Sequence, residues 1–248
     1  EVGRDVSGAE LLESHEAVFL GPGLGPDTRL PVPGGDGPGV IGATEWIEKL
    51  KTDREHSVTG LRSAAVIGGG NTAIDVAREL AGLGVPDVWM VYRRSRSEMG
   101  GYEHEMDGAR RDGVMLVENA AVAEVRREWG HVRAVRLVAT EHGRPTDREH
   151  STLAVDLVVF AIGQTKLAEL VSEFPGVEVD GRGCIVADPE TMRTGNPRVF
   201  AGGDALNGGK EVVFAAADGQ LAARTIDAMM SETAADGEAT ATPGGSRA

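Results

Sequence analysis

Cysteine is nearly absent from this chain, because Cys184 is the only one among 248 residues. A single thiol excludes an internal disulfide, a Cys-x-x-Cys redox pair and an iron–sulfur cluster held by this chain alone. We therefore expect Cys184 to serve as a small apolar residue in the core.

Basic residues are also scarce: 25 Lys and Arg stand against 39 Asp and Glu, which gives a formal net charge of −14. With no basic stripe outside the neighbourhood of Arg93, nucleic acids and anionic membrane surfaces are poor partners. Long apolar runs are missing as well, since no stretch approaches the roughly 20 residues that span a bilayer, and no signal peptide opens the chain. We therefore expect a cytoplasmic protein.

The most informative stretch is a glycine triplet in the first half of the chain. The apolar run Ala64–Ile67 leads into the glycines, and apolar residues at helical spacing follow. This order predicts a strand, a tight turn and a helix. In the pattern G-x-G-x-x-A, Gly68 forms the sharp bend, Gly70 lets a pyrophosphate approach the backbone closely, and Ala73 lets the helix pack closely on the strand. The phosphates would lie on the helix start, whose free N–H groups favour anions. The candidate cofactor-binding residues here are Gly68, Gly69, Gly70, Asn71, Thr72 and Ala73.

A basic pair follows the next predicted strand. Val88–Tyr92 is an apolar run that ends in Arg93 and Arg94, at the place where NAD-binding units usually carry an acid for the ribose hydroxyls. Two guanidinium groups suit a 2′-phosphate through forked, charge-assisted hydrogen bonds, so the pattern favours NADP(H) over NAD(H). Arg96 is a third candidate. The alternative is a structural βαβ unit whose arginines are merely solvated.

The remaining pattern predicts further α/β elements. The chain exceeds one nucleotide-binding unit, so we expect one large or two interlocked α/β domains. Leu30–Gly39 carries three prolines and four glycines, which indicates a linker. A short amphipathic helix is predicted around Trp46, a second helix over Tyr102–Asp112, a strand at Val114–Val117 and a hairpin that turns at Trp129 and Gly130.

The polar run Glu141–His150 is predicted to be a loop. Its two histidines have no cysteine or further histidine at ligand spacing, so we expect no metal site there.

Three apolar runs end in small residues: Ala17–Gly21, Asp156–Gly163 and Val199–Asp204. We predict that these strands share one crevice at their carboxyl ends, where open α/β sheets bind ligands, and that the last completes a sheet begun at the N-terminus. Val212–Met230 has helical spacing. The sequence beyond Ser231 has almost nothing to bury and predicts a disordered tail.

Four motifs in this order resemble a known family. They are Gly68–Asp75, Tyr92–Ser95, Glu98–Glu105, and Thr194–Asp204 with Gly208–Val213. Together they look like the flavin-dependent pyridine nucleotide oxidoreductases, in the branch that holds the glutamate synthase small subunit and the NAD(P)H-binding half of dihydropyrimidine dehydrogenase.

The resemblance implies an α/β fold in which a Rossmann-like NAD(P)-binding domain is inserted in a partial FAD-binding domain, an architecture with two dinucleotide-binding domains. On this interpretation, residues 1–40 are the first segment of the FAD-binding domain, 41–163 the NAD(P)H-binding domain, 164–232 the C-terminal FAD segment and 233–248 the tail. The N-terminal G-x-G-x-x-G that would hold the FAD diphosphate is absent. This absence fits a truncated chain or half of a split protein.

The implied function is hydride transfer from NADPH to FAD, with electrons passed onward to an iron–sulfur, amidotransferase or reductase domain or subunit. Because the flavin carries the chemistry, no catalytic side chain is expected. Asp204 would reach the ribityl or pyrophosphate region of the flavin, and the helix that begins near Val212 would point its N-terminus at the pyrimidine carbonyl. One alternative is a non-catalytic NADP(H)-binding module or a truncated fragment that no longer retains FAD, and Asp204 could instead be a turn or N-cap residue. The implied cofactor-binding residues are Ala161, Ile162, Gly163, Gly203, Asp204, Glu211, Val212 and Val213.

Overall fold

A computed structural model describes residues 1–53, 57–164 and 167–240, with side chains described as far as residue 232. The described residues form two compact units. The central unit is Pro26–Gln164, and the flanking unit combines Glu1–Gly25 with the described part of Thr165–Ala248. Residues 26–40 thus belong to the central unit, whereas the functional boundaries at residues 40, 163 and 232 stay predictions.

Helices and strands are interspersed along the chain. In chain order they are α1 (Gly8–Ser14), β1 (Val18–Leu20), β2 (Val40–Gly42), α2 (Ala43–Thr52), β3 (Ser63–Ile67), α3 (Asn71–Gly82), β4 (Asp87–Val91), a 3₁₀ turn (Arg96–Glu98), α4 (Glu103–Arg111), β5 (Met115–Val117), β6 (Ala120–Glu128), β7 (His131–Glu141), β8 (Arg144–Ala154), β9 (Leu157–Phe160), α5 (Ala168–Ser172), β10 (Val199–Ala201), α6 (Asp204–Asn207) and α7 (Val212–Thr240).

A five-stranded parallel sheet in the order β2-β9-β3-β4-β5 organises the central unit. All five residues of β3 are buried, as expected for a strand covered on both faces. On one face, α3 buries the side of the helix that carries Ile74 and Leu80 against the sheet, and Trp46 of α2 and Met106 of α4 join the same core. The predicted strand–turn–helix–strand unit is therefore confirmed.

The other face of this sheet packs on a three-stranded antiparallel sheet, β6-β7-β8, through a second apolar core that includes Phe160 and Leu137. The predicted hairpin over Trp129 and Gly130 is confirmed as the β6–β7 turn. The loop predicted for Glu141–His150 is wrong, because this segment contains the end of β7, a turn and most of β8.

The polarity of β8 explains this error. Most of its residues are exposed, since it is an edge strand that has a hydrogen-bonded neighbour on one side only. Charged residues and Pro145 on such an edge oppose pairing with another chain. The strand therefore lacks the alternation of apolar and polar residues from which a strand is predicted in a sequence.

The flanking unit contains a parallel pair, β1 and β10, in which Val18 pairs with Val199. The prediction that the late strand completes a sheet begun at the N-terminus is therefore confirmed. β9 pairs with β2 and β3 instead, so the three strands belong to two sheets, and the prediction that their carboxyl ends share one crevice stays a prediction. Strand periodicity carries no information about which distant strand a segment pairs with. Cys184 is 4% exposed in this unit, as predicted for a core residue.

The long helix α7 begins at Val212, as predicted, but extends to Thr240. The disordered tail predicted for residues 233–248 is therefore wrong as far as residue 240, where the chain is helical. Its Ala and Glu residues favour helix. Residues 241–248 lie outside the described part of the chain. Among the described residues, no helix has the length and apolar character to span a bilayer.

Candidate functional site

The glycine turn after β3 contains two glycines that the fold itself requires. Gly68 has φ +152°, and a Cβ atom added there would lie 2.2 Å from the carbonyl oxygen of Ala161. A Cβ atom at Gly69 would lie 2.5 Å from the ring of Tyr92. The first two glycines are therefore fixed by close packing against the ends of β9 and β4.

Gly70 differs, because an added Cβ atom would meet nothing within 4 Å. The protein itself does not need a glycine at this position. Gly70 is the N-cap of α3 and offers no side-chain cap, and the first turn of the helix carries no acidic residue. The N–H groups at the start of α3 therefore face an open, uncapped position that suits an anion. Ala73, by contrast, is fully buried, as predicted for helix–strand packing.

A segment beside the glycine turn is hydrogen-bonded to it. We call Glu98–Tyr102 the covering segment. Its Gly101 donates a backbone hydrogen bond to the Gly69 carbonyl at 3.1 Å, and its Tyr102 N–H donates to Asn71 Oδ1 at 2.8 Å. At the other end, the Tyr92 hydroxyl donates to the Glu98 carbonyl at 2.8 Å. The Asn71 side chain thus supports the loop, while Thr72 is exposed.

The covering segment starts from a small capped turn. The Ser95 hydroxyl and N–H both donate to Glu98 Oε2, at 2.7 and 3.2 Å. These bonds, with smaller contributions from the charges of Arg94 and His142, hold the pKa of the Glu98 carboxyl below its usual value. Glu98 therefore stays ionised and holds in place the turn that leads from β4 to the covering segment.

Arg93 and Arg94 follow β4, whose neighbour in the sheet is β3, so they lie at the same sheet edge as the glycine turn. Arg93 is exposed. Among the residues that the structure describes, no carboxylate forms a salt bridge with the guanidinium of Arg93 or Arg94. Arg96 differs, since it pairs with Asp107 at 2.6 Å. The two predicted phosphate ligands thus remain available, whereas the third candidate is engaged.

The end of β9 supplies backbone at the same edge. The Ala161 N–H donates to the Ile67 carbonyl at 2.8 Å, which ties β9 to the residue before the glycine turn. Gly163 has φ +104°, and its carbonyl accepts from the N–H of Thr28 at 2.9 Å. Ile162 is 37% exposed. Ala161–Gly163 therefore contribute backbone and one apolar side chain to this edge.

The remaining candidates belong to the flanking unit. Gly203 adopts φ +69° before α6, and its N–H donates to Asp218 Oδ2 of α7 at 3.0 Å. Asp204 Oδ1 accepts from the N–H of Lys210 at 3.1 Å. Asp204 therefore orders the loop to Lys210, which is the turn role kept open above; a role toward a cofactor stays a prediction.

The first turn of α7 exposes apolar side chains. Val212 is 80%, Val213 63% and Phe214 46% exposed, and the preceding Glu211 is exposed too. Helical spacing suggests that Val213 faces the core, but the residues described here do not cover it. The start of α7 and its exposed apolar side chains are compatible with the predicted flavin contact, which stays a prediction.

Three residues at the site were missed by the sequence analysis: Asn119 and Thr140, which hydrogen-bond the backbone of the arginine pair, and Gly143, which lies against Arg94. All three belong to the antiparallel sheet or its borders. The positive φ of Asn119, +51°, fits the tolerance of asparagine for left-handed backbone. Nothing in the local sequence signals that these residues reach β4.

Comparison with known proteins adds family information. A profile described as "Pyridine nucleotide-disulphide oxidoreductase" matches residues 4–219. The chain is 37% identical over 241 residues to the NADP(+)-dependent formate dehydrogenase subunit beta of Moorella thermoacetica, covering 91% of this chain and 33% of that protein. It is 33% identical to the glutamate synthase [NADPH] small chain of Escherichia coli (strain K12), covering 91% of this chain and 53% of that protein.

Among solved structures, the thioredoxin reductase of T. acidophilum has a TM-score of 0.69 at 22% identity, covering 84% of this chain and 64% of that one. This likeness shows the fold. The chain thus spans between a third and about a half of these two curated relatives.

Proposed function

Since the chain belongs to the pyridine nucleotide-disulphide oxidoreductase family, we propose that it is the nucleotide-binding part of an NADPH-dependent flavin oxidoreductase that delivers electrons to a partner. The observation that carries this proposal is the combination of an open, uncapped α3 start at Gly70 with two arginines at the end of the neighbouring strand that form no salt bridge among the described residues.

NADP(H) fits this edge of the central unit. The pyrophosphate would lie against the α3 start, because Gly70 leaves room there and the helix offers free N–H groups. Arg93 and Arg94 would bind the 2′-phosphate, which carries up to two negative charges. In a chain of net charge −14, an arginine pair that forms no salt bridge among the described residues is a local exception that matches such a ligand. Gly68, Gly69, Asn71 and Ala73 would shape this site, with Thr72 at its open side.

FAD is the second cofactor that we propose. Gly203, Asp204 and the α7 start at Glu211–Val213 would face it in the flanking unit, and Ala161–Gly163 stay predicted cofactor-binding residues of the central unit. The exposed apolar turn of α7 and its helix N-terminus suit a flat ring with polar carbonyls. When bound, NADPH supplies a hydride and FAD accepts it. The role of this chain is to hold the two cofactors and to exclude water.

The acceptor of the electrons would be a partner domain or subunit. Two of the relatives are named as a subunit beta and a small chain, which favours assembly with another polypeptide. An iron–sulfur, amidotransferase or reductase partner is our proposal for this chain. Its single cysteine gives it no cluster of its own.

A spectroscopic titration tests the proposal. The purified protein is equilibrated with FAD and freed of excess cofactor, and its visible absorption spectrum is recorded before and after anaerobic addition of NADPH. Flavin bands that bleach support the oxidoreductase. A colourless protein that binds NADPH supports the NADP(H)-binding module instead. A protein that binds neither cofactor contradicts both.

A further inference from the structure

The antiparallel sheet reaches across to the arginine pair. The Thr140 hydroxyl of β7 donates to the Arg93 carbonyl at 2.7 Å. Asn119, just before β6, donates its N–H to the Arg94 carbonyl at 3.1 Å and accepts from the Thr140 N–H at 2.8 Å. Thr140 is only 7% exposed. Both arginine carbonyls are therefore held by residues that belong to one side of the antiparallel sheet.

The β7–β8 turn holds the side chain of Arg94. In this turn His142 and Gly143 have φ +50° and +74°, the left-handed values of a tight hairpin turn. A Cβ atom added at Gly143 would lie 2.9 Å from Nε and 3.1 Å from Cγ of Arg94. The side chain of Arg94 thus lies directly on the buried backbone of Gly143.

We infer that Thr140 and Gly143 are positioning residues for the arginine pair, and that the antiparallel sheet thereby sets the preference for NADPH over NADH. This inference rests on the proposed function, because it requires the arginines to bind the 2′-phosphate.

The physical reason is the geometry of a guanidinium–phosphate contact. Forked hydrogen bonds require the planar group in one orientation, and a long arginine side chain loses much rotamer freedom when it adopts it. The backbone fixed at both carbonyls sets where the Arg93 side chain leaves the loop, and the contact with Gly143 orients the side chain of Arg94, before the ligand arrives. NADH lacks the 2′-phosphate, so its binding does not depend on this orientation.

Thr140 provides the first test. Thr140→Val keeps the shape and the β-branch of the side chain but removes the hydroxyl, and Thr140→Ser restores the hydroxyl. Kd values for NADPH and NADH are measured by titration of the wild type and both variants at one salt concentration. We expect Thr140→Val to weaken NADPH by up to about fivefold, because the free energy of one hydrogen bond is the most that this contact can contribute to pre-organisation. NADH should change less than about twofold, and Thr140→Ser should stay close to wild type. Equal losses for the two coenzymes, or no loss for NADPH, overturn the inference.

Gly143 provides the second test, with a control in the same sheet. Gly143→Ala introduces both a left-handed alanine and a clash with Arg94. Gly130 of the β6–β7 turn also has a left-handed φ, +81°, but an added Cβ atom there meets nothing within 4 Å. Gly130→Ala therefore carries the backbone strain without the clash. We expect Gly143→Ala to lower the NADPH/NADH preference and Gly130→Ala to leave it unchanged; the same preference in both variants contradicts a role for Gly143.

The failure of this inference is distinguishable from that of the proposed function. If the wild type binds no NADPH, or if Arg93→Ala leaves its preference for NADPH intact, the proposed function fails. If Arg93→Ala removes the preference but Thr140→Val and Gly143→Ala preserve it, only the positioning role fails. Melting temperatures are measured for all variants and identify any variant that does not fold. If the variant at Thr140 or at Gly143 does not fold, the variant at the other of these two positions tests the inference.

Discussion

Replacement of Arg93 by alanine should weaken NADPH while sparing NADH. Arg93 lies beyond β4 at the sheet edge of the glycine turn, and no carboxylate among the described residues forms a salt bridge with it. Its substitution therefore removes a ligand contact without leaving an internal partner unpaired. The backbone keeps the bond from Thr140, so the loop should persist.

The expected magnitude follows from the exposure of the side chain. A hydrogen bond to a charged group contributes about 1.5–3 kcal/mol. Because Arg93 is exposed, solvent and salt weaken the interaction, and the lower figure applies. About 1.5 kcal/mol corresponds to a Kd for NADPH raised roughly tenfold. Arg93→Lys should recover only part of the loss, since an ammonium keeps the charge but not the forked geometry.

Fluorescence titration of NADPH and NADH provides the assay, with Arg96→Ala as the matched control because Arg96 is already paired with Asp107. The effect of Arg93→Ala on NADPH should also shrink between 0.1 M and 1 M salt, where the screening length falls from about 10 Å to about 3 Å. Equal weakening of both coenzymes by Arg93→Ala, or an equal effect of Arg96→Ala on NADPH, would refute the assignment of the 2′-phosphate site.

Three further results are expected. Gly70→Val should abolish NADPH binding, because its side chain would occupy the space of the pyrophosphate, and should leave the circular dichroism spectrum unchanged, because an added Cβ atom there meets nothing within 4 Å; normal affinity in calorimetry would remove the glycine turn from the site. Asn71→Ala should speed hydrogen exchange at the Tyr102 amide, which loses its acceptor, whereas unchanged exchange would show that Asn71 does not hold the covering segment. Burial, and to a smaller extent the charge of Glu105, raise the pKa of Asp75 above its ordinary value of 3.8. The ionised form is thus disfavoured on folding, so stability falls as the pH rises through the unfolded and then the folded pKa. Asp75→Asn should therefore raise the urea midpoint at pH 7, with a gain that shrinks below pH 3.8; a constant gain across this range would exclude the titration of Asp75 as its cause.

Local sequence patterns are sufficient to predict the helices and strands that bury one regular face. The β3–α3–β4 unit could be predicted because Ile74 and Leu80 recur at helical spacing after an apolar run. The same reasoning placed the α7 start at Val212. It could not tell that Gly68 and Gly69 are required by packing against Ala161 and Tyr92 while Gly70 is not, because those contacts join distant parts of the chain.

The antiparallel sheet shows where such reasoning ends. The charged residues of β8 are typical of a loop, yet edge pairing with β7 makes them a strand. Because glycine is common in loops, Gly143 inside a predicted loop does not indicate a tight turn between two strands. Thr140 is a threonine in a strand, a residue type that strands favour, and only the tertiary structure brings its hydroxyl to Arg93.

The most direct measurement is the structure of this protein bound to NADP⁺ at a resolution that shows the phosphates. We predict the pyrophosphate at the start of α3 beside Gly70 and the 2′-phosphate within hydrogen-bonding distance of Arg93 and Arg94. A coenzyme bound with its adenosine away from these arginines, or with the α3 start in contact with solvent only, would contradict the account.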